Sequence, residues 1–413
     1  MFFIYQLLIY LLIIFSPLII FFRLLKKKED KIRFIEKLGF FTKKKINGTL
    51  IWFHGSSVGE VMSLIPLIYY YEKKKSITQI LITTNTLSSA KILKKYKFKK
   101  TIHQFFPLDS IFISKKFINY WKPKIAIFAE SEIWPNMFNG LYNKKIPLIL
   151  LNARITLKTF KKWYTFKNFS FSVFSKIFFS YPQNSETHNY LKKLKVKNIK
   201  FIGNLKFSEN PYDSKDILNK NLSGEFKKYK NWVAASTHNR EEIICAKAHI
   251  ILKKKIKNLI TILIPRHINR ANKIASEIKK LKLKIIRHSE KVSNFKNIDI
   301  YLVDTYGESK KFYKIAKTVF LGGSIIKHGG QNPLEPARYG ANILHGNNVK
   351  NFKDIYKYLL SMNISKIINT PHQLASSISF ASKKNSKIIL KKLGNKIFKR
   401  TTKELDAIIK NAI

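Results

Sequence analysis

The sequence predicts an α/β protein with two halves, each built on a parallel sheet, behind an N-terminal apolar helix. Short continuous apolar runs alternate with longer amphipathic stretches, which is the pattern of strands buried on both faces of a parallel sheet. A polar stretch at 208–230, containing Asn, Pro, Gly and Lys, interrupts this alternation once. The first 22 residues contain no charged side chain. Two α/β halves joined by a polar linker also predict a cleft between them.

Residues 1–22 predict a membrane anchor. At about 1.5 Å per residue this run reaches about 30 Å, enough to cross the core of a bilayer. The first basic residues, Arg23 and 26–28, follow the run, and it has no basic segment before it and no small-residue cleavage site, which disfavours a signal peptide. The positive-inside rule then predicts a single-pass anchor with the rest of the chain on the cytoplasmic side. A buried core helix is the alternative.

The predicted strands of both halves are rich in Ile, Leu and Phe. In the first half, strands are predicted at 50–53, 79–82, 124–128, 147–151 and 200–202, and helices at 60–73, 131–142 and 186–194. In the second half, strands are predicted at 232–235, 259–264, 284–286, 299–303, 319–321 and 342–344, and residues 366–413 are predicted to be helical. Ligands of open parallel sheets bind at the carboxyl ends of the strands, so the residues that follow each strand are the candidates for a site.

The composition excludes several classes of protein. With 413 residues, of which 45% are hydrophobic, the chain has enough apolar material for two cores, so it is neither disordered nor collagen-like. Its one cysteine, Cys245, excludes an intrachain disulfide and a zinc site built on cysteines. A net charge of +54 is typical of proteins that bind polyanions. The excess Lys is, however, spread along the whole chain together with Ile, Asn and Phe, so we interpret it as a compositional bias.

Two loops of the first half carry candidate catalytic groups. The segment 54–60, HGSSVGE, follows a strand and opens into a helix, whose free N–H groups favour an anion. Glu60 lies in the first turn of that helix, where it is either a catalytic carboxylate or a residue that complements the helix dipole. Glu130 and Glu132 follow the next buried strand, and they are either acid–base or metal-binding groups or solvated residues at a helix start. The chain contains no Asp-x-Asp motif, so a metal-bridged nucleotide diphosphate is not supported.

The second half contains candidate anion-binding groups after its strands. Arg266 can pair with a phosphate, although a single Arg is also common on any surface. The richest segment is 322–336, in which Asn332 is predicted as the N-cap, Pro333 as the first helical residue and Glu335 as the third. A capped helix start explains these residues on its own. The two Gly pairs before it also leave bare backbone, where carboxylate and amide groups can bind a ribose and a phosphate.

Eleven ordered motifs show that the chain resembles the family of 3-deoxy-D-manno-octulosonic acid (Kdo) transferases of lipopolysaccharide assembly. The motifs are HGSSVGE (54–60), TTNT (83–86), FPLD (106–109), WKPKIAIFAESEIWPN (121–136), LNAR (151–154), GNLK (203–206), AASTH (234–238), IPRH (264–267), DTYGE (304–308), FLGGS (320–324) and HGGQNPLEPA (328–337).

The resemblance implies a glycosyltransferase B-type fold, with two Rossmann-like domains and an interdomain cleft, and an enzyme at the inner membrane. It implies CMP-Kdo as donor and a lipid A precursor as acceptor, in an inverting, metal-independent transfer without a cofactor and without a nucleic-acid partner. The expected regions are an anchor at 1–22, an acceptor-binding domain at 30–207, a linker at 208–230, a CMP-sugar-binding domain at 231–385 and a C-terminal helix at 386–413.

The resemblance also assigns roles to individual residues. Glu60 matches the general base of the family, and Glu130 and Lys206 match positions that stabilise the transition state. The residues that match the CMP-binding segments are Pro265, Arg266, Tyr306, Gly307, Glu308, Asn332, Pro333, Leu334 and Glu335.

Three other functions remain open from the sequence. A membrane-tethered B-type glycosyltransferase that uses a UDP-sugar would share the fold. A nucleic-acid-binding protein would explain the charge of +54, but the sequence contains no basic helix-turn-helix, zinc or stacking-sheet motif. An inactive scaffold is disfavoured by the presence of Glu60, Arg266 and Glu335.

Overall fold

The computed structural model describes residues 2–208, 217–291, 294–381 and 384–412. By packing, the chain forms two compact units: unit 1 comprises residues 1–210 and 394–413, and unit 2 comprises residues 211–393. The domain boundaries from the sequence stay predictions, and residues 209–216 of the predicted linker lie outside the described residues. The second half of that linker contains helix α9 (Lys220–Lys227).

Unit 1 is built on a six-stranded parallel sheet with the order β3-β2-β1-β4-β5-β6. Its strands are β1 (Leu50–His54), β2 (Gln79–Thr84), β3 (Thr101–Phe105), β4 (Ile125–Ala129), β5 (Leu148–Ala153) and β6 (Phe179–Pro182). Its helices are α1 (Phe2–Leu25), α2 (Val58–Glu72), α3 (Leu87–Leu93), α4 (Ile111–Trp121), α5 (Pro135–Asn143), α6 (Leu157–Thr165), α7 (Lys167–Phe174) and α8 (Ser185–Lys193).

Alternating residues of the unit 1 strands fill two separate cores. Trp52 and Phe128 belong to one apolar cluster, whereas their strand neighbours Phe53 and Ile127 belong to the other. All four side chains are fully buried, because helices cover both faces of the sheet. The strand order reverses between β1 and β4, and this switch point is where open parallel sheets bind their ligands.

Unit 2 contains a seven-stranded parallel sheet with the order β13-β12-β11-β7-β8-β10-β9. Its strands are β7 (Lys230–Thr237), β8 (Leu259–Pro265), β9 (Ile285–Arg287), β10 (Ile300–Leu302), β11 (Thr318–Leu321), β12 (Asn342–His345) and β13 (Ser365–Ile367). Besides α9, its helices are α10 (Glu241–Lys253), α11 (Ala271–Lys279), α12 (Ser309–Tyr313), α13 (Leu334–Arg338), α14 (Lys353–Ser361) and α15 (Pro371–Ser377). The switch point of this sheet lies between β7 and β11.

The last helix, α16 (Lys384–Ala412), belongs to unit 1 from Gly394 onwards. Leu405 and Ile409 are buried in the same apolar cluster as Phe53. Asp406 accepts hydrogen bonds from two tyrosines of α2, Tyr70 and Tyr71. The C-terminal end of the chain therefore completes the core of the first sheet.

Three predicted elements are wrong. No strand forms at 200–202, because only the single bridge between Ser180 and Ile199 pairs this segment with β6. The helix predicted at 131–142 begins only at Pro135, because residues 130–134 form a loop that holds two carboxylates. The stretch 366–413 is not helical throughout: it begins within strand β13 and contains two separate helices, α15 and α16. The short strands β3, β6 and β13 were not predicted.

The packing of α16 generates a stability prediction. Leu405→Ala should destabilise unit 1 by about 2–5 kcal/mol, because it leaves a cavity in a closed core. Ile388→Ala, a substitution in the same helix at a side chain that is 52% exposed, should change stability by no more than about 0.5 kcal/mol. Thermal unfolding in detergent would compare the two variants. Equal melting temperatures would show that the end of α16 does not stabilise the core.

Candidate active site

The Glu60 carboxylate lies at the start of α2, directly after β1. Ser57 is the N-cap of this helix, and a capping box joins the two residues: the Ser57 hydroxyl accepts from the Glu60 N–H at 3.3 Å and donates to Oε1 at 2.9 Å. The Ser56 N–H donates to Oε2 at 2.7 Å. Glu60 thus has the helix-start role that the sequence left open. These contacts also hold its carboxylate at the switch point of the sheet.

Glu130 lies at the end of β4, across the same switch point, and it forms an ion pair with Lys206. Its backbone is in the left-handed region, with φ of 56°, which a residue with a side chain adopts at a cost. The Lys206 Nζ is 2.6 Å from the Glu130 Oε1, and both side chains are largely buried. The Asn152 side chain accepts from the Leu205 N–H at 2.9 Å and so fixes the turn that carries Lys206.

Glu132 is held by two ring N–H donors. The His54 Nε2 lies 3.0 Å from the Glu132 Oε2, and the Trp134 Nε1 donates to the same oxygen at 3.0 Å. The His54 Nδ1 lies 2.9 Å from the Thr83 hydroxyl, which itself accepts from the Trp52 Nε1 at 2.9 Å. The His54 Nε2 thus faces a carboxylate, which only accepts, whereas its Nδ1 faces both the hydroxyl and, at 3.2 Å, the carbonyl oxygen of Thr83.

The three carboxylates act on one another through their charges. Burial raises the pKa of Glu60 to about 7, and the negative charges of Glu132 and Glu130 add to the effect. The hydrogen bonds from Ser57 and Ser56 oppose it. A carboxyl group with a pKa near neutrality, held beside a Lys–Glu ion pair, is suited to accept a proton from a hydroxyl group.

The structure thus brings three sequence-predicted residues, Glu60, Glu130 and Lys206, to one edge of the unit 1 sheet. His54 and Asn152 were missed as site residues. The sequence could have indicated both residues, because each is a polar residue in or at the end of an otherwise apolar strand. The part of the chain that the structure describes contains no cluster of three or more His, Cys, Asp or Glu residues that could hold a metal ion.

In unit 2, a buried carboxylate shapes the switch point between β7 and β11. Glu241 is fully buried at the start of α10. Its two oxygens accept from the backbone N–H groups of His238, Gly323, Ser324 and Ile325, at 2.7–3.1 Å. This carboxylate, which the sequence analysis also missed, therefore organises the Gly-rich loop after β11.

Several cationic or protonatable side chains lie beside this loop. The His238 ring is 4.1 Å from the His328 ring and 5.8 Å from the His267 ring, between centroids. Burial lowers the pKa of His238 to about 4, and the charges of His328, His267 and Arg266 contribute. Arg266 itself is exposed just after β8, and its N–H donates to the Thr237 carbonyl at 3.0 Å. Such a neighbourhood attracts an anion.

The other predicted nucleotide-binding residues lie around α12. Tyr306 is 74% exposed, Gly307 has a positive φ of 86°, and Glu308 pairs with Lys311 at 2.9 Å. In the same helix, the Lys310 Nζ lies 3.8 Å from the Glu335 carboxylate. Helix α12 thus joins the 306–308 turn to the segment 332–335.

Arg266 and Glu335 both act on the buried Tyr313 at the end of α12. Burial and the Glu335 charge raise the pKa of Tyr313, and Arg266 opposes this shift. Asn332 accepts from the Leu334 N–H at 3.1 Å, and Pro333 already has helical dihedral angles, although the α13 helix is assigned from Leu334. Pro265 is buried as the last residue of β8.

The comparisons with known proteins agree with the motifs. A family model described as 3-Deoxy-D-manno-octulosonic-acid transferase (kdotransferase) matches residues 32–209. The 3-deoxy-D-manno-octulosonic acid transferase of Haemophilus influenzae is 32% identical over 395 residues, which are 93% of this chain and 92% of the relative. The transferase of Rickettsia bellii is 34% identical over 390 residues, which are 94% of this chain and 92% of that relative. The solved UDP-GlcNAc 2-epimerase of Neisseria meningitidis, at 13% identity, has a TM-score of 0.55 over 84% of this chain and 94% of its own.

Two Rossmann-like domains, each built on a parallel sheet, define the glycosyltransferase B-type fold. The full-length relatives then decide the family. The chain belongs to the 3-deoxy-D-manno-octulosonic acid transferases, a family of glycosyltransferases. The apolar helix α1 is compatible with a membrane anchor by its length and composition.

The charge coupling at Glu60 generates a prediction for the pH dependence of catalysis. In the unmodified protein, kcat/KM should fall as the pH drops below about 7, because Glu60 becomes protonated. Glu132→Gln removes a negative charge but keeps an oxygen for His54 and Trp134. We expect this variant to lower the pKa of Glu60 and to shift the acidic limb of the profile to lower pH.

The matched control is Glu186→Gln, which changes an exposed first-turn glutamate in α8. Its pH profile should coincide with that of the unmodified protein. An acidic limb that stays in place in Glu132→Gln would contradict the coupling.

Proposed function

We propose that this protein transfers Kdo from CMP-Kdo to a hydroxyl group of the lipid A precursor, with inversion and without a metal ion. The observation that carries the proposal is the Glu60 carboxyl group, which is buried at the switch point of unit 1 with a pKa raised to about 7. The donor and acceptor follow from the motif resemblance, and the family membership supports them.

In the proposed reaction, Glu60 accepts the proton of the acceptor hydroxyl as the new bond forms. A base is most effective when its pKa lies near the working pH, because it is then both ionised and basic. The two serine N–H groups and the Ser57 hydroxyl hold the carboxylate in one orientation before the substrate arrives. Because the proton leaves as the new bond forms, no full negative charge develops on the acceptor oxygen.

Lys206 and Glu130 are proposed to stabilise the transition state. The 2.6 Å ion pair holds the Lys206 ammonium group in place at the domain edge where Glu60 lies. Its positive charge can offset the carboxylate or phosphate of the donor, and Glu130 positions it for this role. A buried cation in a preorganised place stabilises developing charge without reorganisation.

Unit 2 is proposed to bind the CMP part of the donor. The cationic group around Arg266 would offset the charge on the departing phosphate. Pro265, the 306–308 turn and the segment 332–335 would line the nucleotide site. Electrostatic stabilisation by these groups takes the role that a divalent ion has in other glycosyltransferases.

The proposed location is the cytoplasmic side of the inner membrane, with α1 as the anchor. The acceptor is a membrane lipid, so an enzyme attached to the membrane searches a surface rather than a volume. The three lysines 26–28 directly after α1 suit an anionic lipid surface.

The central prediction concerns Glu60→Gln. This variant should lower kcat by about 10² or more, because Gln cannot accept the proton, while CMP binding stays nearly unchanged. Product formation from CMP-Kdo generated in situ and lipid IVA, read by mass, would measure the turnover. The exposed Glu186→Gln variant is the control for replacing a first-turn glutamate. Normal turnover by Glu60→Gln would rule out Glu60 as the base.

A glycosyltransferase that uses a UDP-sugar is the second candidate, because the same fold binds UDP-sugars in other proteins such as the N. meningitidis epimerase. Thermal unfolding in the presence of CMP or UDP distinguishes the two candidate functions. We expect CMP to raise the melting temperature, with a stabilisation of about 2.7 kcal/mol when its concentration is 100-fold above its Kd. Protection by UDP and none by CMP would favour the alternative.

A further inference from the structure

Helix α1 has one protected side along nearly its whole length. Gln6, Ser16 and Ile20 are buried, at 8%, 5% and 8% exposure. The half-buried residues of the helix fall on the same side, at 5, 9, 13, 23 and 24. Along the helix these positions recur every three or four residues, with adjacent pairs at 5/6 and 23/24, so they form one stripe. From residue 5 to residue 24 the stripe is about 28 Å long.

Near its N-terminal end the stripe contacts the folded body of unit 1. The Tyr5 hydroxyl donates to the Asp109 carboxylate at 2.6 Å. The side-chain amides of Gln6 and Asn136 form a reciprocal pair, at 2.5 and 3.3 Å. The Tyr5 ring also lies 5.9 Å from the Phe169 ring, between centroids.

The C-terminal end of α1 is fixed as well. The Arg23 Nε donates to the Glu29 carboxylate at 2.7 Å, and the other oxygen of Glu29 accepts from the Lys37 Nζ at 2.5 Å. Glu29 is 5% exposed. Both ends of the helix are therefore tied to the same compact unit.

A helix packed in this way cannot cross a bilayer without taking its neighbours along. Asp109 is buried beneath Tyr5 and accepts from two backbone N–H groups at the start of α5. If α1 spanned the membrane, this carboxylate, Asn136 and the irregular loop before α5 would lie at membrane depth. Asp109 and Asn136 are shielded by the folded body of unit 1, so that body would have to enter the hydrocarbon with them, and its charged surface and irregular loops are excluded from hydrocarbon.

The opposite side of α1 is apolar and open. In its most apolar stretch only 11% of the residues are buried. Leu7, Ile14, Leu18 and Leu25 are 51–69% exposed, and they lie on the side opposite to the stripe. The exposed lysines 26–28 follow directly. An apolar face that ends in a basic cluster matches the surface of a bilayer with anionic headgroups.

We propose that α1 lies in the plane of the membrane, with its stripe on unit 1 and its apolar face in one leaflet, so that both of its ends stay on the same side of the bilayer. The inference replaces the predicted single-pass anchor by a helix at the interface. It rests on the membrane attachment within the proposed function, but not on the reaction.

The same contacts tie the membrane helix to the candidate active site. Asn136, the partner of Gln6, follows the loop 130–134 that carries Glu130 and Glu132. Tyr5 and Gln6 are thus positioning residues: they fix the height of this loop over the lipid surface. An acceptor that is embedded in lipid meets the Glu60 site only at that height.

The depth of α1 in lipid tests the proposal. Spin labels would be placed singly at Leu7, Ile14, Leu18 and Leu25 in the full chain, after Cys245→Ser removes the one buried thiol. The protein would be bound to vesicles of phosphatidylethanolamine and phosphatidylglycerol, and collision with oxygen and a nickel complex would report depth. An exposed position of α16, Ile388→Cys, is the aqueous control.

An in-plane helix predicts similar depths at all four positions, about 5–10 Å below the headgroup boundary. A spanning helix predicts that Ile14 is the deepest position. It would lie about 10 Å deeper than Leu7 and about 16 Å deeper than Leu25. That profile, or water exposure at all four positions, would overturn the proposal. If the helix shows the in-plane profile but the unmodified protein does not transfer Kdo, only the proposed function is refuted.

The positioning role has its own test. The double change Tyr5→Phe and Gln6→Leu removes the end contacts while it keeps the helix apolar. We expect about a tenfold or greater rise in KM for the acceptor in vesicles, with little change in kcat or in KM for CMP-Kdo. Activity on acceptor dispersed in detergent should stay within twofold of the unmodified protein, and Tyr10→Phe, an exposed residue of the same helix, should behave normally in both assays. Equal losses in vesicles and detergent would show a merely structural role.

Discussion

The burial of carboxylates at the edge of the first sheet is the constraint on which this half of the molecule depends. Burial raises the pKa of Glu60, and Glu132 and Glu130 lie close enough for their charges to raise it further. Buried charges are tolerated only when donors satisfy them. Each carboxylate accordingly has its own donors: serine groups for Glu60, a lysine for Glu130, and the His54 and Trp134 rings for Glu132.

The unequal strength of these donor sets separates the roles of the three groups. Glu130 faces a full positive charge, and Glu132 accepts two ring N–H groups. Glu60 receives only neutral donors, and its burial together with the two negative charges beside it raises its pKa. In unit 2 a buried carboxylate has a different role, because Glu241 accepts from four backbone N–H groups, three of which belong to the loop after β11 that it holds in place.

The sequence predicted the fold class well, because buried parallel strands are continuous apolar runs and the motifs follow them. It failed where structure depends on distant partners. The segment 200–202 is as apolar as several true strands, but it pairs with β6 at one residue only. The strand β3 was missed because its His103 and Gln104 interrupt the apolar pattern. Glu241 has the sequence pattern of an ordinary first-turn glutamate, and three of its four donors come from the distant loop after β11.

The N-terminal helix shows the same limit in another form. An average over 1–22 is strongly apolar, and such an average cannot distinguish a helix that crosses a membrane from one that lies on it. The distinction lies in a few polar side chains and in their direction. Gln6 would be costly in hydrocarbon without a partner, and in the folded protein it faces Asn136. Because Gln6 and Ser16 face the protein while Leu7, Ile14 and Leu18 face outwards, the two sides of the helix can be distinguished only once its partners are known.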